Sequence, residues 1–147
     1  FEAILPEQRQ ATALSEQLIT ELKDADFVII GCPMYNWSIP AAFKAWLDQV
    51  MRLGLTFTYG ENGVVGLLGD KPALVVLSRG GSYDAPERAA VDMQKPYLTN
   101  VLKVMGLAAT YAAMEGSLMG DEPRDTNLYK ARAQIQEVAA NFDSYLS

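Results

Sequence analysis

The sequence contains no histidine and only one cysteine, Cys32. Without histidine, the chain has no Ser-His or Cys-His nucleophilic pair and no histidine-ligated metal site. A single cysteine cannot form a disulfide within the chain, and this usage is typical of the cytosol. Any catalysis by these residues is therefore expected to depend on a cofactor.

An excess of basic residues and long apolar runs are also missing. The formal net charge is −6, so the charge balance does not support a nucleic-acid-binding role. No apolar run approaches the ~20 residues that span a bilayer. The polar start of the chain lacks the basic segment and apolar stretch of a signal peptide. We expect a cytoplasmic protein without nucleic-acid or membrane partners.

Apolar patterns along the chain alternate between helical and extended segments, which predicts one α/β domain over residues 1–147 with a parallel sheet. The predicted helices are Pro6–Lys23, the segment between Ser38 and Gly54, Pro96–Met105 and the chain from about Arg124. The predicted strands are Phe27–Ile30, Ala73–Leu77 and Ala109–Met114, with an additional hairpin of Leu55–Tyr59 and Val64–Leu68.

The same patterns predict which side chains face the core. Phe27–Ile30 shows no period of two, which indicates a strand covered on both faces. Ser38 is the predicted N-cap of the second helix. The predicted apolar stripes are Leu14, Leu18 and Leu22 in the first helix, Phe43, Trp46, Leu47, Val50 and Met51 in the second, and Tyr129, Ile135, Val138, Phe142 and Tyr145 in the last.

The loop Met34-Tyr35-Asn36-Trp37 follows the first predicted strand, which Pro33 ends. It combines a thioether, two aromatic rings and an amide. In open α/β sheets, ligands bind at the carboxyl ends of the strands. The sequence therefore predicts a binding loop here.

A second loop, Ser78-Arg79-Gly80-Gly81, follows the next predicted parallel strand. Two glycines allow the backbone N–H groups to come close to a flat ligand, because no side chain stands in the way. Either loop alone is more often an ordinary turn. Together, at the ends of adjacent strands, they predict a site for a flat molecule with one polar edge.

Several motifs carry a resemblance to a known family. Pro33–Asn36, Ile39-Pro40, Lys44–Asp48, Gly54–Phe57 and Leu77–Gly81 resemble the FMN-dependent NADH azoreductase and NAD(P)H:quinone oxidoreductase family, and the similarity covers nearly the whole chain. The resemblance implies a flavodoxin-like fold in which the visible parallel strands are the third, fourth and fifth. It also implies an additional strand and a phosphate loop preceding Phe1.

The resemblance implies an enzyme that passes electrons by ping-pong hydride transfer from NADH or NADPH through FMN to quinones or azo compounds. It implies a homodimer with the acceptor pocket at the subunit contact. By position, the cofactor-binding residues would be Met34, Tyr35, Asn36, Trp37, Ser78, Arg79, Gly80 and Gly81, and the substrate residues Tyr59, Asn36 and Trp37. The family commonly has phenylalanine where this chain has Trp37.

Two of these residues have an equally good second interpretation. Arg79 either neutralises charge on the flavin edge or a nicotinamide cofactor, or is a solvated loop arginine. Tyr59 either lines the acceptor pocket or packs on the sheet as an edge-strand tyrosine. Cys32 is interpreted as a small buried hydrophobe. The acidic loop residues Asp84, Glu87, Asp121 and Glu122 are interpreted as solvated.

Two other functions remain possible from the sequence. One is a flavodoxin-type electron carrier that binds FMN without reacting with nicotinamide. The other is a non-catalytic α/β remnant that serves only as an interaction module.

Overall fold

The computed structural model describes residues 6–145, with side chains described from residue 12 to residue 144. Its elements are α1 (Pro6–Asp24), β1 (Val28–Pro33), α2 (Ala41–Val50), β2 (Phe57–Gly60), β3 (Gly63–Gly66), β4 (Lys71–Ser78), α3 (Pro86–Ala89), α4 (Lys95–Met105), β5 (Leu107–Met114), α5 (Asp121–Ala140) and α6 (Phe142–Tyr145). Every predicted strand and helix is present, whereas α3 was not predicted and α5 begins before Arg124. Phe1–Leu5 lie outside the described residues.

The central sheet has the order β1-β4-β5, and both strand pairs are parallel. This is the arrangement expected for the third, fourth and fifth strands of a flavodoxin-like sheet. Strands β2 and β3 form a separate antiparallel hairpin, as predicted, with Tyr59 opposite Val64. Among residues 6–145, no helix combines the length and the apolar character that crossing a membrane requires.

Helices cover the two faces of the sheet to different extents. On one face, α1, α2 and α4 bury a large core, in which Leu47, Leu98 and Leu102 are fully inaccessible. On the other face, α5 packs on β4 and β5 through a small cluster of Leu74, Ala112 and Val138. Strand β4 is therefore covered on both sides, as its continuous apolar run predicts.

The prediction that β1 is covered on both faces is wrong. Ile30 and Cys32 face the core, but the intervening Ile29 is 70% exposed. Alternate side chains of a strand point to opposite faces, and α5 covers β4 and β5 rather than β1.

Three predictions about the helices also need correction. From residue 12 onward, the buried residues of α1 are Ser15, Ile19 and Leu22. Leu22 is buried and Leu18 packs against the core, as predicted, but Leu14 is 57% exposed. Ser15 Oγ donates to the Gln49 carbonyl at 2.6 Å, which favours this rotation of the helix against α2. The N-cap of α2 is Pro40, without a side-chain hydrogen bond, because Ser38 belongs to the preceding turn.

In α5, Tyr129 of the predicted stripe is 76% exposed, while Val138 and the unpredicted Ala131 are buried. Phe142 contacts Phe27 with ring centroids 5.0 Å apart. The side chain of Tyr145 lies outside the described residues.

The β2–β3 hairpin joins the domain through a backbone contact at Gly66. A Cβ atom at Gly66 would lie 2.2 Å from the backbone nitrogen of Gly106, the left-handed residue that ends α4. Leu68, just beyond the hairpin, donates its N–H to the Met105 carbonyl at 3.0 Å. Only glycine at residue 66 allows this approach, so this contact fixes where the hairpin lies.

Replacing Gly66 with alanine should lower the free energy of unfolding by about 1–3 kcal/mol, because the added methyl group meets backbone that cannot move aside cheaply. Urea denaturation measures the change. The matched control is Gly31→Ala in β1, where an added Cβ has nothing within 4 Å and the change should stay within about 0.5 kcal/mol. Equal effects at both glycines would contradict the proposed role of Gly66.

Candidate functional site

The two predicted loops leave the sheet side by side. The register of the β1–β4 pair places Pro33 opposite Ser78, the last residues of these two strands. The Met34 N–H donates to the Ser78 carbonyl at 2.8 Å, which extends the pairing by one bond. The structure therefore brings the Met34–Trp37 and Ser78–Gly81 segments together, as predicted from the order of the strands.

The Met34–Trp37 segment is a tight two-residue turn. Tyr35 and Ser38 exchange both backbone hydrogen bonds, at 2.9 and 3.0 Å. Between them, Asn36 and Trp37 have φ angles of 48° and 63°. Asparagine tolerates this left-handed region, but a bulky residue such as tryptophan rarely adopts it. Strained backbone of this kind is concentrated at functional sites.

The aromatic side chains of this turn are open to solvent. Tyr35 is 61% exposed and Trp37 is 58% exposed, so core packing does not explain the strained conformation. The Trp37 carbonyl accepts the Met93 N–H at 3.1 Å, which ties the end of the turn to the segment before α4. Two rings are thus available for stacking on a flat ligand.

In the glycine loop the backbone carbonyls are hydrogen-bonded, whereas three N–H groups are not. The carbonyls of Arg79, Gly80 and Gly81 accept hydrogen bonds from the N–H groups of Ser117, Leu118 and Gly116, at 2.9–3.1 Å. Within the described part of the chain, the N–H groups of Gly80, Gly81 and Ser82 have no such acceptor. Three successive donors are therefore free to bind the polar edge of a ligand.

Backbone strain does not account for the two glycines in this loop, since neither has a positive φ. A Cβ atom at Gly80 would lie 2.9 Å from the Leu118 side chain, and one at Gly81 would lie 3.0 Å from the Arg88 guanidinium. Both neighbours are ends of flexible side chains. The two glycines therefore let the Leu118 and Arg88 side chains lie close to the loop backbone.

The solvated interpretation of Arg79 is wrong, because the residue is only 3% exposed. Its Nη1 lies 3.0 Å from Asp92 Oδ2 and 3.1 Å from Glu115 Oε1, and its Nε donates to Gln94 Oε1 at 3.0 Å. Its Nη2 has no hydrogen-bond partner among the described residues. The guanidinium is therefore buried and bound to protein groups through Nη1 and Nε.

The carboxylates around Arg79 also bind backbone. Glu115 Oε2 accepts the Tyr83 N–H at 3.1 Å. Burial raises the pKa of the Glu115 carboxyl, and the neighbouring Arg79 charge and the Tyr83 N–H act in the opposite direction. Asp92 Oδ1 accepts the N–H groups of Gln94 and Lys95 at 2.9 and 3.1 Å. These bonds make the ion cluster part of the loop structure.

Asp92, Gln94 and Glu115 were missed from the sequence. Asp92 stands shortly before a predicted helix, where an acidic residue commonly caps the free N–H groups. Glu115 directly follows β5 and thus lies at the binding edge of the sheet. Nothing in the sequence indicates that Gln94 is fully buried.

Two cavities lie near this edge of the sheet. An apolar cavity of about 760 Å³ adjoins the Met34–Trp37 turn and is lined by Tyr35, Asn36, Ser38, Ile39, Ala41, Lys44, Met93 and Tyr97. A polar cavity of about 720 Å³ lies between α4, β5 and α5, and the Arg79 cluster forms part of its wall. The apolar one is the size of a small-molecule pocket and shares residues with the turn.

Tyr59 is not brought into either cavity. It lies on β2, is 68% exposed, and makes an edge contact with Phe57 at 6.0 Å between ring centroids. It therefore belongs to the two-stranded β2–β3 sheet and not to the central sheet.

The structure places the remaining candidates as follows. Cys32 is free and 2% exposed, and burial raises the pKa of its thiol, in keeping with a small hydrophobe. Asp84, Glu87, Asp121 and Glu122 are exposed, as predicted. Within the described residues, no group of three or more cysteine, aspartate or glutamate side chains could hold a metal ion.

Comparisons with known proteins show which family the chain resembles. A family model described as flavodoxin-like fold matches residues 2–139. An FMN-dependent NADH:quinone oxidoreductase from Hyphomonas neptunium is 43% identical over 139 residues, covering 94% of this chain and 67% of the relative. A protein of the same name from a Nostoc species is 42% identical over 144 residues, covering 96% and 70%.

A solved structure is similar as well. The FMN-dependent NADH-azoreductase of Bacillus anthracis in complex with FMN aligns with a TM-score of 0.83 and 26% identity, covering 95% of this chain and 66% of that one. The chain thus spans about two thirds of the length of the relatives and of this structure.

The strain at Trp37 predicts an unusual order of stability. Trp37→Gly should be more stable to urea than Trp37→Ala by about 1 kcal/mol, because glycine adopts the left-handed region without a Cβ clash. The control pair is Trp46→Gly and Trp46→Ala in α2, where alanine should be the more stable by about 1 kcal/mol. If the alanine variant is the more stable one at both positions, Trp37 is not strained.

Proposed function

Because the chain belongs to the flavodoxin-like fold family, we propose that its two loops hold the flavin of an FMN-dependent NAD(P)H oxidoreductase that reduces quinones and azo compounds by ping-pong hydride transfer. The names of its relatives, quinone oxidoreductases and azoreductases, support this activity. The residues proposed to bind the cofactor are Met34, Tyr35, Asn36, Trp37, Ser78, Gly80 and Gly81. Arg79, which the resemblance also implied, is held in the buried ion cluster and is left out.

The observation that carries the proposal is the row of free N–H groups at Gly80, Gly81 and Ser82 beside the strained Tyr35–Ser38 turn. An isoalloxazine ring has a polar pyrimidine edge that accepts hydrogen bonds and an apolar face that stacks. The row of N–H donors suits hydrogen bonding to the pyrimidine edge. The turn supplies the stacking surface through Tyr35 and Trp37, and its Asn36 offers an amide that both donates and accepts.

Bound FMN would supply the redox chemistry, taking a hydride from the nicotinamide and delivering the electrons to the acceptor. The chain's own residues would bind the ring edge, orient the ring and shield one of its faces. This division of labour needs no side-chain acid or base, which agrees with the absence of histidine. The apolar cavity beside the turn offers room for a flat acceptor, between Tyr35 and Tyr97.

We propose a homodimer in which Tyr59 reaches the acceptor site of the partner subunit. Tyr59 is exposed on a hairpin that projects from the domain and lies outside the cavities beside its own loops. An exposed aromatic ring held at a fixed place by the Gly66 contact is suited to line a pocket that a second copy completes.

The experiment that tests the function uses the protein expressed from its natural gene. We expect it to bind FMN, and to oxidise NADH or NADPH in the presence of a quinone. Asn36→Ala combined with Gly81→Val should raise the Kd for FMN at least about 10-fold, because the variant loses the amide and places a branched side chain where the ring lies. Fluorescence titration of FMN measures the affinity.

The fold should tolerate this double change, since the group nearest to residue 81 is the flexible end of Arg88. Asn100→Ala, an exposed change on α4 outside the loops, serves as the control and should bind FMN as the wild type does. Unchanged affinity in the double variant would refute the two-loop site. Flavin binding without NADH oxidation would instead identify an electron carrier, and a protein that stays colourless in excess FMN would refute both.

Tyr59→Ala should raise the KM for the quinone or azo acceptor by about 5- to 10-fold and leave the flavin content unchanged, because the lost ring contributes stacking to acceptor binding and not to hydride transfer. Steady-state kinetics with a varied acceptor measure this effect. Tyr129→Ala, at a tyrosine that is 76% exposed on α5, is the matched control. An acceptor KM that does not change would remove Tyr59 from the site.

A further inference from the structure

We propose that Arg79 and Gln94 are positioning residues that hold the two flavin loops in register with each other, so that the free N–H groups and the strained turn face one ligand at once. This inference rests on the proposed function. It assigns to Arg79 a role through its buried side chain and not through contact with the cofactor.

The first step is the connection between Gln94 and the beginning of the Met34–Trp37 turn. Gln94 is fully buried. Its Nε2 donates to the Cys32 carbonyl at 2.9 Å and lies 3.6 Å from Cys32 Sγ. Cys32 stands two residues before Met34, so this bond fixes the chain where it enters the turn.

The second step is the connection to the end of the same turn. Met93, the neighbour of Gln94, donates its N–H to the Trp37 carbonyl at 3.1 Å. Both ends of the turn are therefore held by two consecutive residues of the Asp92–Gln94 segment. An exposed turn with two residues at positive φ would otherwise have few contacts to keep it in that conformation.

The third step joins this segment to the glycine loop. The Arg79 guanidinium binds Gln94 through Nε and Asp92 through Nη1, while the Arg79 backbone lies in the glycine loop. Nη1 also binds Glu115. Glu115 directly precedes the Gly116–Leu118 segment, whose N–H groups donate to the carbonyls of the glycine loop. One side chain thus connects both binding loops and the segment that orients the free donors.

The chemistry of the cluster favours a positioning role. A buried guanidinium with two carboxylates is weak as a source of stability, because desolvation offsets most of the attraction. Its planar, fixed array of donors does set the relative positions of its partners. Arg79 Nη2 has no hydrogen-bond partner among the described residues, so the guanidinium connects the segments through Nε and Nη1 alone.

Gln94→Glu tests this role without a large change in shape. The new carboxyl keeps an oxygen for Arg79 Nε but loses the amide donor to the Cys32 carbonyl. Burial and the neighbouring Asp92 and Glu115 carboxylates, which already pair with Arg79, favour its protonated form. When protonated, it can donate to that carbonyl again. In the protein from the natural gene, the Kd of this variant for FMN should therefore be about 10-fold higher at pH 8 than at pH 6, while the wild-type Kd should change much less.

Two further variants complete the design. Gln94→Met removes both hydrogen bonds without burying a charge, and its FMN affinity should fall at both pH values. Gln134→Glu is the matched control, because the exposed Gln134 Oε1 accepts the Ala113 N–H at 3.2 Å and keeps that role after the change. Its FMN affinity should follow that of the wild type across the pH range.

Thermal unfolding of each variant without FMN separates positioning from general stability. Normal FMN affinity in both Gln94 variants would overturn the proposal, as would an affinity loss in Gln94→Glu that does not depend on pH. If the wild type itself fails to bind FMN, the proposed function fails, and that result is distinct from either outcome for Gln94.

Discussion

The parallel pairing of β1 with β4 is the constraint on which the candidate site depends. The register ends with Pro33 opposite Ser78, so the two strands terminate at the same level. A slip of one residue would reverse the faces of all β1 side chains and remove Ile30 and Cys32 from the core. Hydrophobic burial thus fixes the register, and the register fixes where both loops begin.

The two loops that follow these strands use their backbone hydrogen-bonding groups in different ways. In the glycine loop, the carbonyls accept hydrogen bonds from the Gly116–Leu118 segment and three N–H groups stay free. In the turn, Tyr35 and Ser38 pair with each other through their backbone, and the aromatic rings are exposed. Neither arrangement is the most stable one for the isolated segment, because donors are left unpaired and Trp37 is strained. Features of this kind are expected where binding a ligand matters more than local stability.

The Arg79 cluster shows how a buried charge is accommodated in such a place. The positive charge has two carboxylates and an amide oxygen within hydrogen-bond distance, so it is not isolated in the interior. Removing one member would leave the others buried without a partner, which is costly. The members of the cluster therefore depend on one another, and together they connect segments that are distant in sequence.

Much of the fold was determined by the sequence itself. The parallel sheet followed from the alternation of helices and strands, since parallel strands need helical crossovers, and the resemblance to a flavodoxin-like family implied the order of the strands. The two loops were identified correctly as neighbours because adjacent parallel strands end at one edge. Two glycines in one loop and two aromatic rings in the other also predict a flat ligand, and this remains a prediction.

Tertiary structure decided which side chains are buried where the spacing of apolar residues does not predict it. The rotation of α1 depends on a hydrogen bond between Ser15 and the Gln49 carbonyl, and the exposure of Ile29 depends on where α5 lies. The burial of Arg79 is likewise decided by Asp92 and Glu115, 13 and 36 residues further along the chain. A loop arginine looks solvated in sequence because its partners are far away along the chain, and only folding brings their charges within 3.1 Å.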